Sequence, residues 1–306
     1  MLFRSFDLRA VLLAPAGKAP NWETVAVTQV APPLSVDPRS TTPEDYAARI
    51  LDDKLPEPQR VSMVQSQPHL AAELIAAMTK DLKYGDAPAL REEYRRIPWI
   101  WRVAISAGKR NETEPLRKIL KVSLPGKDQP LRDWQAVVIG GGLINGISQT
   151  GAWPGARIAE IVGDDADLKS RWQVSLDLAS KMADDPKVAN GTRYDALRML
   201  GVEPWAKRGG QVQKYLGKEV NAELQMGAVS ALVDMPEREA GLALRASIAD
   251  CAEANRGLAI EGLLRSPERT ALLIEAVASR VVSLKELDES RRGRIREVVD
   301  RILQEP

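Results

Sequence analysis

Apolar residues follow one repeating pattern between Arg193 and Pro267. Each copy contains Ala, an aliphatic residue, two further residues, Leu, three further residues and Pro. The three copies are Ala196-Leu197…Leu200…Pro204, Ala228-Val229…Leu232…Pro236 and Ala259-Ile260…Leu263…Pro267. Each of the four landmarks lies 32 residues before its counterpart in the second copy, and that counterpart lies 31 residues before the one in the third. Self-similarity at a fixed period of this length is typical of proteins built from stacked structural repeats.

Each repeat is predicted to contain two helices joined by a tight turn. The apolar residues of a copy follow helical spacing. Proline suits the first position of the second helix, because its φ is already helical and its missing N–H has no partner there. Leu200, Leu232 and Leu263 are therefore expected to face a core that the helices share. The predicted fold is all-α, an α-α superhelix of the α-solenoid type.

Three regions are predicted along the chain. Residues 1–43 contain six prolines among short β-like runs, which favours an extended Pro-rich arm or linker over a helix. Helical patterning begins at Thr42-Pro43-Glu44-Asp45, a Thr cap followed by Pro and an acidic first turn. Residues 44–188 are predicted to form irregular helical repeats. Residues 189–306 are predicted to form regular repeats that end in a charged capping helix from Glu289 to Gln304.

Two further helices are predicted within the irregular region. One is expected from about Pro68 to Leu82, because Leu70, Leu74, Ile75, Met78 and Leu82 share a face. At Ile97-Pro98 one helix is expected to end and another to start, since a residue before proline avoids the α conformation. The buried stripe of that second helix is predicted to consist of Trp101, Ala104, Ile105 and Gly108.

Composition and charge narrow the class of protein. The chain is 44% apolar but only 5% aromatic, which suits closely packed helices better than β-sandwiches. With 43 Lys and Arg against 42 Asp and Glu, no global field attracts nucleic acid or an anionic membrane. No apolar run approaches the ~20 residues of a membrane span. The apolar stretch near the amino terminus is interrupted by Asp7 and Arg9, so it does not match a signal peptide.

The single histidine and the single cysteine limit the available chemistry. They exclude an internal disulfide, a cysteine-rich metal site and a metal site with two histidines. His69 is expected to be a surface or capping residue in the first turn of a helix. Cys251 lies beside Asp250 and near Glu253, whose carboxylates raise the pKa of a thiol, so we predict an inert structural thiol. No catalytic, cofactor-binding or metal-binding residue is predicted.

A basic and aromatic segment provides the candidate interaction surface. Its residues are Arg91, Tyr94, Arg95, Arg96, Trp99 and Arg102. Such a mixture can hold phosphates and stack bases, so one alternative is a nucleic-acid-binding protein that uses the Arg91–Arg110 patch. The other interpretation places the tryptophans in the core and pairs the arginines with Glu92, Glu93 and Glu112. We favour the second, because the acidic residues are interleaved with the basic ones.

A glycine-rich segment suggests a second alternative, an enzyme with a nucleotide cofactor at Gly140–Gly146. The preceding Val137-Val138-Ile139 resembles the strand that leads into a dinucleotide-binding glycine turn, and Glu160 follows at the distance of a ribose-binding acid. However, the last glycine comes one residue late for G-x-G-x-x-G, and Trp153-Pro154 would break the helix that should follow. We therefore expect a buried helix over Val137–Gly146, without a cofactor, whose glycines lie where neighbouring helices come very close.

The repeats resemble HEAT-type repeats of the armadillo-like superfamily. They lack the W-x-x-L-G…Y signature of tetratricopeptide repeats and the T-P-L-H signature of ankyrin repeats. A more specific resemblance comes from EEYRRIPWIWRVAISAGKRN (92–111) and LRDWQAVVIGGGLINGIS (131–148). Together with the repeats, these segments resemble the helical part of large exported bacterial proteins. Those proteins join a sugar-dehydrogenase-like propeller, a HEAT-repeat region and a c-type cytochrome module.

The resemblance implies a role without catalysis for this chain. In that family the redox chemistry belongs to the propeller and to a haem bound by C-x-x-C-H, and this sequence contains no C-x-x-C-H. The expected function is a scaffold that docks a protein partner or the neighbouring domains of a longer polypeptide. The family also implies an exported or periplasmic location.

Overall fold

The computed structural model describes residues 42–83, 85 and 87–304. Within these residues the chain is helical and contains no strand, which confirms the all-α class. Packing divides the described chain into two compact units, with unit 1 ending at Ala179 and unit 2 beginning at Ser180. The predicted division between residues 188 and 189 stays a prediction. The predicted extended arm lies outside the described residues, apart from Thr42 and Pro43.

Unit 1 consists of two rows of helices. Its helices are α1 (Pro43–Ile50), α2 (Glu57–Ser66), α3 (Ala71–Thr79), α4 (Ala87–Arg110), α5 (Thr113–Ser123), α6 (Asp133–Ala136), α7 (Ile144–Ser148), α8 (Pro154–Val162) and the first part of α9 (Ala166–Asp184). A π-helical segment, Val137–Leu143, joins α6 to α7, and a 3-10 turn, Pro68–Leu70, precedes α3. Helices α1, α3, α5 and α8 pack successively against one another, and α4 packs against α2 on one side and the π-helical segment on the other.

The two predicted helix starts near the beginning of unit 1 have different outcomes. The cap at Thr42 is confirmed: Thr42 Oγ1 accepts a hydrogen bond from the Asp45 N–H, and the Asp45 carboxylate accepts one from the Thr42 N–H, both at 3.2 Å. The helix predicted from Pro68 to Leu82 is shorter, because its first turn is 3-10 and its α-helical part ends at Thr79. Its predicted core residues Leu74, Ile75 and Met78 are buried.

The predicted break at Ile97-Pro98 is wrong, because α4 continues through it to Arg110. A proline inside a helix removes one backbone hydrogen bond and costs about 3 kcal/mol. The flanking side chains offset this cost: Ile97, Trp99 and Ile100 are all buried. Burying one such side chain contributes roughly 1.5–3 kcal/mol, so tertiary packing outweighs the local preference.

Unit 2 contains the helix pairs of the three repeats. The pairs are α10 (Asn190–Leu200) with α11 (Trp205–Gln213), α12 (Ala222–Asp234) with α13 (Arg238–Ser247), and α14 (Glu253–Leu263) with α15 (Pro267–Ala278). A 3-10 turn, Leu284–Glu286, and a last helix, α16 (Glu289–Gln304), follow. The first helices of neighbouring repeats pack against one another, and so do the second helices. The two-helix unit predicted from the sequence is confirmed.

The apolar landmarks of all three repeats are buried, as predicted. The buried positions are Ala196, Leu197, Leu200, Ala228, Val229, Leu232, Ala259, Ile260 and Leu263. The prediction for the prolines holds only at Pro267, which is the first residue of α15. Pro204 is instead the N-cap residue of α11, and Pro236 precedes the N-cap residue of α13. The proline therefore marks the turn, while the first helical residue varies by up to two positions.

A polar landmark, which the apolar pattern does not reveal, accompanies the apolar ones. It lies three residues before each landmark Ala and is occupied by Arg193, Gln225 and Arg256. The Gln225 side-chain amide donates to the Leu216 carbonyl before its helix and to the Asp250 carbonyl in the next loop. Arg256 likewise donates to the carbonyls of Ile248 and Val281. Arg193 donates to the Ala183 carbonyl at 2.9 Å. This position therefore satisfies carbonyl groups at the end of the preceding helix or in the loops that link successive repeats.

A fully buried carboxylate connects the ends of the repeats on the turn side. Asp234, the last residue of α12, accepts hydrogen bonds from Arg265 Nη1 at 2.6 Å and from Arg198 Nη2 at 3.4 Å. These partners belong to the third and the first repeat. Arg269 donates to the carbonyls of Leu232 and Val233 at 3.1 and 3.3 Å, and so caps the same helix end.

Candidate interaction surface

Helix α4 carries all six residues of the predicted interaction surface, but it does not present them together. Arg91, Tyr94 and Arg95 are exposed, Arg102 is half-buried, and Arg96 and Trp99 are buried. The six residues therefore do not form one basic and aromatic surface. Ion pairs and cation–π contacts hold the inward members Arg96, Trp99 and Arg102.

Arg96 connects α4 to the end of α3. Its guanidinium donates to both carboxylate oxygens of Asp81, at 2.6 and 3.1 Å, and to the Met78 carbonyl at 2.8 Å. It also donates to Glu92 at 2.7 Å. The hydrogen bond from Arg96 lowers the pKa of Asp81. Because its donors are engaged in this way, Arg96 serves the packing of unit 1.

Arg95 and Glu92 connect α4 to the loop after α1. Arg95 forms two hydrogen bonds with Glu92, at 2.7 and 2.9 Å, and donates to the Leu51 carbonyl at 2.7 Å. Hydrogen bonds from Arg95 and then Arg96 lower the pKa of Glu92 from 4.5 to about 2, against the opposing effect of burial. Glu92 thus neutralises Arg95 and Arg96, two of the arginines considered for phosphate binding.

Two arginine side chains contact the ring of Trp99. The guanidinium carbon of Arg60 is 4.3 Å from the ring centroid, and that of Arg102 is 5.2 Å away. Arg60 also pairs with Asp53 at 2.9 Å, and Arg102 pairs with Glu57 at 2.7 Å. Because only 7% of Trp99 is exposed, its ring offers no platform for stacking a base. The interpretation of core tryptophans and paired arginines therefore holds for Trp99 and for the pairs with Glu92 and Glu112, whereas Trp101 is half-buried.

A further group of contacts joins α4 to the start of α6. Buried Glu93 accepts hydrogen bonds from Arg132 Nη2 at 3.0 Å and from the Trp134 N–H at 3.2 Å, and Tyr94 donates through its hydroxyl to Asp133. The sequence contains no signal for these contacts, because the partners are about 40 residues apart and follow no periodic pattern.

The exposed remainder of the predicted surface is small. We call it the α4 face and define it as Leu90, Arg91 and Tyr94. Leu90 is 44% exposed and Tyr94 is 36% exposed, and they lie one helical turn apart. Arg91 is exposed and forms no ion pair with a described residue. The face therefore combines two apolar groups with one positive charge.

The glycine-rich segment is helical from Val137 to Gly146, as predicted, and belongs to the π-helical segment and α7. A Cβ atom on Gly146 would lie 2.5 Å from the Ile105 carbonyl oxygen. One on Gly142 would meet Ala104 and the Trp101 carbonyl oxygen. The glycines thus allow close packing against α4, as expected. The strand and turn that a dinucleotide site requires at this position are not formed.

The remaining candidates show no reactive arrangement. His69 is exposed in the 3-10 turn, as predicted. Burial raises the pKa of the Cys251 thiol to about 11, with a smaller contribution from Asp250, which agrees with an inert thiol. Among residues 42–83, 85 and 87–304, no group of three His, Cys, Asp or Glu side chains is placed to hold a metal ion. Shallow grooves lie in unit 2 beside Ser247 and, with a larger volume, in unit 1 beside Glu73.

None of the described helices is both long and apolar enough to cross a membrane. No protein-family model, curated protein sequence or solved structure matches the chain.

Proposed function

We propose that the chain is a non-catalytic α-solenoid scaffold of the HEAT type that docks a protein partner or the neighbouring domains of a longer polypeptide. The observation that carries this proposal is the equivalence of the three helix pairs in unit 2. Their apolar landmarks are buried at the same positions, and first helices pack on first helices. In such an array each repeat contacts only its neighbours, so a long surface remains for binding.

The α4 face is the proposed contact for the partner. Exposed apolar side chains beside an uncompensated positive charge are suited to a protein surface with an apolar patch and a carboxylate. The resemblance of residues 92–111 and 131–148 to the helical part of propeller–cytochrome proteins suggests that the partner is a redox domain. In that arrangement the chain holds the domains in place, and the electron-transfer chemistry belongs to them.

Solution scattering tests the architecture. A compact domain of this length has a radius of gyration of about 19 Å. An α-solenoid is expected to give a clearly larger value and an asymmetric pair-distance distribution over the helical region. A radius of gyration near 19 Å together with a symmetric pair-distance distribution would contradict the solenoid.

Photo-crosslinking tests the docking function. A photoreactive residue at position 90 is expected to yield one discrete product in cells of the source organism, while the same residue at exposed position 219 yields none. Arg91→Glu should abolish the product. Equal patterns from both positions would argue against docking at the α4 face.

A further inference from the structure

A groove crosses the outer side of unit 1 on the row formed by α1, α3 and α5. Its centre is the outward face of α3, where Glu73, Ala76, Ala77 and Lys80 follow one another at helical spacing. Pro43 and Glu44 of α1 border it on one side, and Val122 of α5 borders it on the other. The groove has a volume of about 430 Å³.

The floor of the groove is apolar because α3 carries alanines there, and their short side chains leave it open. Ala76 and Ala77 are half-buried, and Val122 is 38% exposed. Two alanines in succession on an outward helix face leave room for side chains of another molecule. An apolar side chain placed on Ala76, Ala77 and Val122 would remove their exposed carbon surface from water.

The ends of the groove carry opposite charges. Glu73 Oε2 is shielded from solvent and accepts no hydrogen bond from a described residue. Exposed Glu44 forms no ion pair within the described chain. Because no described residue donates to Glu73 or Glu44, a basic side chain of another molecule would supply the missing charge partner at this end. Lys80 is exposed at the other end, seven residues and therefore about 10 Å farther along α3.

We propose that this groove docks a helix of a partner protein that carries a basic residue at position i, apolar residues at i+3 and i+4, and an acidic residue at i+7. Such a helix lying along α3 matches the spacing of Glu73, the alanine floor and Lys80. A helix is favoured over a strand because the described chain contains no sheet edge to extend. The inference rests on the proposed docking function and specifies a second contact with its partner chemistry.

The test uses a fluorescein-labelled, Ala-rich peptide of about 16 residues with Arg at i, Leu at i+3 and i+4, and Glu at i+7. A matched peptide carries Glu in place of the Arg. Fluorescence anisotropy with the full chain is expected to show saturable binding of the first peptide and at least about tenfold weaker binding of the second.

Variants of the protein locate the binding site. Glu73→Lys should weaken binding of the Arg peptide at least about tenfold and should restore binding of the Glu peptide. Glu219→Lys makes the same charge change at an exposed site in unit 2 and should leave both affinities unchanged. Ala77→Trp should block both peptides by filling the groove, and circular dichroism verifies that each variant is folded.

Any one of three results would contradict helix docking in this groove: no saturable binding, equal binding of both peptides, or unchanged binding by Glu73→Lys. The docking function is tested separately, because the crosslink from position 90 involves another surface. If the crosslink from position 90 forms but the Arg peptide does not bind, only helix docking in the groove is refuted. Loss of both would refute the docking function as well.

Discussion

Gly108 of α4 and Gly146 of α7 lie in direct backbone contact. A Cβ atom on Gly146 would be 2.7 Å from the Cα of Gly108, and one on Gly108 would be 2.9 Å from the Cα of Gly146. Ala104 and Gly142 repeat this contact one turn earlier in each helix. Residues four apart lie on the same face of a helix. The small residues at this spacing therefore line the contact between the two helices.

Replacing Gly146 by Ala should destabilise unit 1. The added methyl group would collide with the backbone of α4, and overpacking of this kind costs typically 1–3 kcal/mol. Urea unfolding followed by circular dichroism measures the change in the free energy of unfolding. A loss below about 0.5 kcal/mol would mean that the helices separate easily, which would contradict rigid packing at this contact.

The neighbouring glycines of α11 should respond in opposite directions. Gly210 is exposed and a Cβ atom there would meet nothing within 4 Å, so Gly210→Ala should gain up to about 1 kcal/mol from helix propensity. A Cβ atom on Gly209 would collide with the indole ring of Trp205. Gly209→Ala should therefore lose stability, and thermal unfolding of the two variants measures both changes. Equal shifts of both variants would show that the Trp205 ring does not pack on Gly209.

Leu232→Ala should destabilise the repeats by about 2–5 kcal/mol, because the side chain is fully buried at a landmark position. If the chain behaves as a linear array, the loss of amide protection should centre on residues 189–285, while residues 91–148 stay protected longer. Leu242→Ala, at a 37% exposed position in the same repeat, is the control and should cost little. Uniform loss along the chain would indicate one cooperative domain.

Asp234→Ala should cost about 3–5 kcal/mol, because it leaves Arg198 and Arg265 buried without their shared carboxylate. Chemical denaturation of the variant measures this cost. Asp250→Ala, which removes an exposed carboxylate from the same unit, should change stability by less than about 0.5 kcal/mol. Comparable losses in both variants would show that the buried ion pairs of Asp234 do not account for the loss of stability.

Glu92 should contribute to stability in a defined pH range. Its pKa is lowered from an ordinary value of 4.5 to about 2 in the folded chain, first by the hydrogen bond from Arg95 and then by that from Arg96. A lowered folded pKa means that the contribution is fully present above about pH 5 and is lost as the pH falls towards 2. Because the carboxylate is 37% exposed, solvent screening limits the contribution to about 1 kcal/mol or less.

Glu92→Gln should therefore flatten the acid limb of a stability–pH curve and leave stability above pH 5 only slightly reduced. Raising the salt concentration should reduce the difference between the two proteins. An unchanged acid limb would show that the pairs with Arg95 and Arg96 do not stabilise the folded state.

Periodic features were readable from the sequence. The two-helix unit, the buried faces of Leu200, Leu232 and Leu263, and the Thr42 cap each depend on spacing within one or two helical turns. The close packing of Gly142 and Gly146 was also predictable, because a run of glycines in an apolar helix is costly unless a neighbouring backbone requires it.

Contacts between distant segments were not readable from the sequence. Helix α4 continues through Pro98 because buried neighbours outweigh a local penalty. Arg96 pairs with Asp81, and Glu93 pairs with Arg132, across 15 and 39 residues. Such pairs have no period, and any arginine of the segment could have pointed to solvent instead. Tertiary packing turned Arg96 and Trp99 inwards and left Leu90, Arg91 and Tyr94 exposed, because only the assembled helices determine which side chains lose contact with water.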